Sequence, residues 1–177
     1  LIKQRGNVTV VIFNKINFLL ILVLFFGIIL NILPLSSSLS SVKPPILLLI
    51  LIYWSLAFPN QINLTYAFVF GLIMDILLIM PLGYNALCFT LTIFLILLYY
   101  PQIRLQSHLH KMLSLLVILI PFFLMSTIGN NFLKIDYNLF SVLTSILISI
   151  IIWPALFSML RFIRQKYITK KKMLETS

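Results

Sequence analysis

LFSVLTSILISIIIWPALFSML, residues 139–160, carries no formal charge over 22 residues, and RFIRQKYITKKK, residues 161–172, follows it with six basic residues and no acidic one. At 1.5 Å per residue, a helix over the first stretch reaches about 33 Å, enough to cross a hydrocarbon core of about 30 Å. The second stretch then reads as a basic tail on the cytoplasmic side, where positive charge accumulates because its translocation is unfavourable.

Working outward, the same reading gives earlier spans at 14–33, 44–58, 64–80, 84–100 and 112–128. Six crossings leave three connections facing one way, and these hold only Lys43 and Lys134. On the opposite side fall Lys3, Arg5 and Lys15 before the first span, Arg104 and Lys111 between the fourth and fifth, and Arg161, Arg164, Lys166 and Lys170 to Lys172 after the last. The expectation is an all-α, polytopic membrane protein of about six helices, forming one domain over 1–177 with both termini in the cytoplasm. The first apolar run, Phe18 to Leu30, followed by small residues at 36–41, also resembles a secretory leader. More membrane follows at once, which favours an uncleaved span.

Composition agrees. With 62% hydrophobic and 9% charged residues, the chain has too little polar surface to cover a water-soluble globule. The net charge of +10 flanks oily spans instead of forming a face, so it signals topology and contact of the tail with anionic lipid, not nucleic acid. Tyr53, Trp54, Tyr66, Tyr99, Tyr100 and Trp153 fall toward the predicted inner ends, and Tyr84 and Tyr137 toward the outer, as interfacial belts require. Pro44 and Pro45 open the second span, where a missing amide donor does no harm, and Pro59 to Asn63 makes a tight turn into the third. The second span, about fifteen residues, is the weakest.

Only three carboxylates exist, and Asp75 alone is expected within a span. Burial of a carboxylate at membrane depth costs on the order of 2.5 to 3.5 kcal/mol on insertion scales, which makes it a candidate site by default. Gly71 stands one turn before it on the same face, with Phe68 three residues further back, so a neighbouring helix can approach closely. Asn31, Tyr84, Asn85, Asn130 and Asn131 are candidate neighbours. Two readings stand side by side: a hydrogen-bonded carboxyl that fixes helix packing, and a partner or transport site.

In the sixth span Ser141, Ser145 and Ser149 recur at i, i+4 and i+8, with Thr144 beside them and Trp153 continuing the line. Small hydroxyl residues on one stripe let helix backbones come close and bond across the interface. Pro121 and Pro154 are expected to kink their spans.

Enzyme readings fare poorly. His108 and His110 are two apart, which splays them on a helix, and no cysteine or carboxylate cluster accompanies them. A hydrolase needs a nucleophile, an intramembrane base and an orienting group. No phosphate-cradling glycine loop is present. The single cysteine, Cys88, cannot form an internal disulfide, and the sequons at Asn7 and Asn63 lie on the expected cytoplasmic side. No catalytic, cofactor-binding or metal-binding residue is assigned.

The stretch Pro44-Pro45, an oily run into Tyr53-Trp54, the Pro59 turn, Gly71 to Asp75 and then Leu82-Gly83 resembles the rod shape-determining protein MreD family. Trp153-Pro154, an apolar half-helix and then Arg161, Arg164, Gln165 and Lys166 agree with its ending. Gly71, Asp75 and Gly83 match the family's recurring positions. The resemblance implies a non-enzymatic inner-membrane component of the wall-elongation machinery, working with MreC, the RodA glycosyltransferase, a class B penicillin-binding protein and the MreB filament. It also implies a likeness to the six-helix substrate-binding subunits of energy-coupling-factor transporters, an analogy of fold alone. One departure is that Leu78, Ile79 and Met80 are bulky where the family often has small polar residues, which points to a buried structural carboxyl over a wet one.

The expected function is a membrane scaffold for lateral wall synthesis. Lateral packing by Gly71, Asp75, Gly83, Ser141, Ser145, Ser149, Trp153 and Pro154 would carry it. A small-molecule-binding or transport subunit is the rival, motivated by the fold analogy and the intramembrane carboxylate.

Overall fold

The computed structural model describes residues 19–33, 43–59, 62–105, 114, 117–125, 127–128 and 139–174. Among these, every regular element is a helix: α1 Leu19–Ile32, α2 Ile46–Ala57, α3 Leu64–Leu77, α4 Tyr84–Leu105, α5 over 117–125 and α6 Leu139–Leu174. Each falls within or over one of the expected spans. The Ser36 to Ser41 cluster, Asn7, Asn60, Gln61, His108, His110, Asn130, Asn131, Lys134 and Tyr137 lie outside the described residues.

At the centre stands α2. Leu47 to Ser55 are buried without interruption, as expected of a helix that is apolar all round and enclosed by others. It packs on α4 and α6, and α3 packs extensively on α4. Among the described residues, Tyr84–Ile103 and Val142–Lys166 are the two stretches long and apolar enough to cross a bilayer by themselves. Shorter helices follow from local chemistry. Pro45 sits at the N-cap of α2, one residue ahead of the expected first turn, and Phe58 ends the helix with its N–H on the Trp54 carbonyl.

At the C-terminus of α6 the correction runs the other way. No break occurs at Leu160: the helix continues through the basic segment to Leu174 and passes Pro154 in its interior. Its 36 residues reach about 54 Å, so the basic turns stand beyond any hydrocarbon core. In α4 the helix likewise runs past Pro101 to Leu105, five residues further than expected.

Three of the six inner-end aromatics, Tyr53, Trp54 and Trp153, differ from an interfacial belt, whereas Tyr99 is exposed. Tyr53 and Trp54 are 1% and 0% exposed, because α2 is enclosed and its rings meet protein instead of lipid headgroups. Tyr53 packs edge-on against Phe157 of α6 at 5.2 Å between centroids, and Trp54 stacks on Phe58 at 5.7 Å. Trp153 is buried too, 5.9 Å from Phe157.

Contacts at both ends of the bundle give helix directions. Ser145, near the start of α6, donates to the Lys43 carbonyl just before α2 (3.0 Å). At the far ends, Tyr53 and Ala57 of α2, Tyr100 and Ile103 of α4, and Phe157 and Arg164 of α6 line one cavity. Thus α2, α4 and α6 run parallel, and α3 runs antiparallel to α4.

Candidate functional site

On α3 the buried residues are Ala67, Gly71, Met74 and Asp75, the three- and four-residue spacing of one helical face. That face meets the first turn of α4 at very short range. A Cβ added to Gly71 would lie 2.4 Å from Ala86 Cα, 2.7 Å from Ala86 N and 3.0 Å from the Asn85 carbonyl carbon. All three obstacles are backbone, so only glycine fits without moving a helix.

The end of α3 turns the chain back. Met80 N–H donates to the Asp75 carbonyl (2.9 Å) and Ile79 N–H to the Ile76 carbonyl (3.4 Å). This is the paired bonding of a Schellman stop, which places the residue after the C-cap in the left-handed region. Here that residue is Ile79, with φ +56°, where glycine is usual and a β-branched side chain is strained. Since the Ile79 side chain is 93% exposed, it contributes little packing within the chain. Replacing Ile79 with glycine is therefore expected to stabilise the protein by about 1 kcal/mol. A rise in the thermal unfolding midpoint in detergent checks this.

The return into α4 uses a second left-handed residue. Tyr84 N–H donates to the Pro81 carbonyl (3.1 Å), closing a turn whose third residue, Gly83, has φ +98°. Such a turn requires glycine or asparagine there.

Into this turn Asp75 projects its carboxylate. Oδ2 accepts from Gly83 N–H at 2.9 Å and from Ala86 N–H at 3.4 Å, while Oδ1 accepts from Asn85 N–H at 2.7 Å. The first N–H groups of a helix have no partner inside it, and a carboxylate there gains both hydrogen bonds and the favourable helix dipole. Asp75 is thus the N-terminal cap of α4, supplied from the neighbouring helix. It is fully buried, and both oxygens are engaged by backbone. The geometry suits a clamp.

A smaller clamp stands at the start of α2. The Lys43 ammonium donates to the Asn31 carbonyl and to the Leu33 carbonyl at 2.8 Å, covering the C-terminal carbonyls of α1 with a cation of the favourable sign. Burial lowers its pKa from the ordinary 10.5. The Asn31 backbone, a candidate neighbour of Asp75 from sequence, bonds Lys43 here.

The serine stripe divides. Ser145 and Ser149 are buried; Ser145 reaches the Lys43 carbonyl, and Ser149 donates back to the Ser145 carbonyl within α6 (2.7 Å). Ser141 lies one turn earlier on the same helix. Trp153 extends the buried line, whereas Pro154 is exposed. Gly71, Asp75 and Gly83 therefore meet in one cluster, and Ser145, Ser149 and Trp153 form a separate seam facing α2.

Reading the sequence alone misses the Lys43 clamp, the left-handed Ile79, and the meeting of Tyr53 with Arg164. The Arg164 guanidinium carbon is 5.8 Å from the Tyr53 ring centroid and 5.9 Å from that of Phe58. A polar residue in the otherwise apolar run 46–54 is the only signal at Tyr53, and no spacing links it to a residue 111 positions away.

No solved structure matches the chain, so the likeness to transporter subunits rests on resemblance alone. The rod shape-determining protein MreD of Haemophilus influenzae is 29% identical over 144 residues, covering 78% of this chain and 85% of that protein. The family model for rod shape-determining protein MreD matches residues 13–163, a stretch that contains the Gly71–Asp75–Gly83 clamp and the α6 seam, and the chain belongs to that family of shape-determining membrane proteins.

Proposed function

We propose that this protein is a non-enzymatic, multi-pass scaffold of the bacterial inner membrane. It holds together the machinery of lateral wall synthesis by binding MreC and, with it, RodA, a class B penicillin-binding protein and the MreB filament. Membership of the MreD family supports the process. The engagement of both Asp75 oxygens by the α4 backbone is the observation that carries the scaffold reading. A transport role would need that carboxylate open to a ligand or proton path, and here it closes a helical hairpin.

Six crossings with both termini in the cytoplasm are part of this reading. Parallel α2, α4 and α6 support it, because each successive pair then needs a returning helix between them. On this topology the Asp75 clamp faces the periplasmic half of the bilayer and the basic extension of α6 faces the cytoplasm. Partner contact falls to the outward faces of α4 and α6. Leu87, Leu91, Phe94 and Leu98 on α4, and Leu143, Leu147 and Ile151 on α6, are exposed at the three- and four-residue spacing of continuous stripes. Association in lipid depends on close packing, because hydrocarbon removes most of the hydrophobic drive between helices.

Capture of MreC from detergent-solubilised membranes tests the scaffold. RodA should co-purify with MreC when this protein is present and fall away when it is depleted, with cells rounding. An MreC–RodA complex that assembles equally well without this protein would refute the proposal.

A further inference from the structure

Helices α4 and α5 touch at one end and part at the other. The Phe89 and Phe122 rings lie 6.1 Å apart, and Phe122 meets Phe123 edge-on at 5.2 Å, which closes the contact. Beyond these rings, toward the Ile103 end of the apolar stretch of α4, a cleft of about 380 Å³ opens between the helices, within the range of about 300–1,000 Å³ usual for ligand pockets. Ile103 and Ile118 at its floor are buried, Leu95 and Pro121 are half-buried, and Tyr99 and Val117 at its lips are exposed.

The lining changes character along its length. On each helix the residues nearer the rings are apolar, Leu95 on one side and Val117, Ile118 and Pro121 on the other, whereas Gln102 and Ser114 supply polar groups further away. In sequence, Arg104 follows Gln102 by two residues, Lys111 precedes Ser114 by three, and no acidic residue occurs between Asp75 and Asp136. A blind apolar end and a polar mouth bordered by cations match an amphiphile with an anionic head. From Leu95 to Ile103 the cleft is about 12 Å long, and a helix of that length and about 10 Å across would fill about 900 Å³, more than twice the space. A single extended hydrocarbon chain is the better fit.

We propose that this cleft binds one acyl chain of an anionic phospholipid, with the chain reaching toward the Phe89–Phe122 pair and the head near Gln102 and Ser114. Inside a bilayer, contact of hydrocarbon with hydrocarbon gives little net drive, so retention depends on close packing in the cleft and on attraction of the head. The inference rests on α4 crossing the bilayer and is independent of the scaffold role. It also differs from general attraction of the basic end of α6 to a charged surface, because the cleft lies between α4 and α5.

Native mass spectrometry of the full-length protein, purified in maltoside and supplied with dioleoylphosphatidylglycerol, tests it. The wild type should retain one lipid per chain, and Leu95→Trp and Val117→Trp, which add bulk at the cleft, should each lower the retained fraction at least about fivefold. Leu124→Trp, at an exposed position outside the cleft, should leave it unchanged. A phosphatidylglycerol carrying a diazirine midway along one chain reads the wild type directly, in micelles and in whole membranes, and its cross-links should concentrate at 95–103 and 114–121 over Leu124. The proposal is overturned if the wild type retains no lipid, if both cleft variants retain it in full, if Leu124→Trp loses as much as they do, or if cross-links spread evenly round the bundle. Cross-links at the cleft in micelles but not in whole membranes would show that a partner helix covers it, which also overturns the proposal.

Discussion

Replacing Gly71 with alanine is expected to lower the unfolding midpoint by about 4–8 °C, corresponding to a net loss of about 2 kcal/mol. Two effects oppose each other. Alanine in a helix interior gains about 1 kcal/mol over glycine through propensity. Against this, the new methyl would lie 2.4 Å from Ala86 Cα and 2.7 Å from Ala86 N. Overpacking costs about 1–3 kcal/mol even where side chains can adjust, and here the obstacle is main chain, so the upper end applies. Steric loss wins. Gly27→Ala is the matched control. Its added methyl meets the mobile Cδ1 of Ile50 at 2.8 Å, so a much smaller change is expected, and an equal drop in both variants would show that Gly71 has no special role.

Asp75→Ala should be more damaging still, at about 3 kcal/mol. It removes a cap of about 1–2 kcal/mol and strands the N–H groups of Gly83 and Asn85 where each unmet donor costs about 1–3 kcal/mol. Part of this is recovered by relaxation and water at the turn. Asp75→Asn should fall between alanine and wild type, because an amide offers one acceptor and two donors. Whichever way it turns, its NH2 faces a backbone N–H that needs an acceptor. The order wild type, Asn, Ala in unfolding midpoint distinguishes a cap from a titrating group. A proton-transfer role would instead make Asn and Ala equally inactive, with Asn fully stable. On the scaffold proposal, restoration of rod shape in depleted cells should follow the same order as stability.

How much of this was legible beforehand varies with the kind of contact. The six helices follow from uncharged apolar runs between polar turns, and the pairing of Gly71 with Asp75 follows from one helical turn of separation. Proximity of Asn85 to Asp75 was legible as well, because the turn between α3 and α4 is short. What could not be read was that the Asn85 backbone, not its side chain, is the partner, since main-chain donors leave no mark in a sequence. Helix ends were read too simply at Pro101 and Leu160. A proline or a charge does not stop a helix whose flanking residues still favour it. Tyr53 and Trp54 were placed near the right end of α2 but on the wrong kind of surface, because a helix enclosed on all sides and one facing lipid have the same apolar composition. The meeting of Tyr53 with Arg164 depends on helix packing over 111 residues and had no local signal.

Amide hydrogen exchange at the start of α4 tests the central claim most directly. In the wild type, Gly83 and Asn85 should exchange slowly, and in Asp75→Ala both should speed up by at least about tenfold, the loss of about 1.4 kcal/mol in protection per decade, while amides from Phe89 to Leu98 keep their rates. Unchanged protection at Gly83 and Asn85 in that variant would contradict the capping of α4 by Asp75.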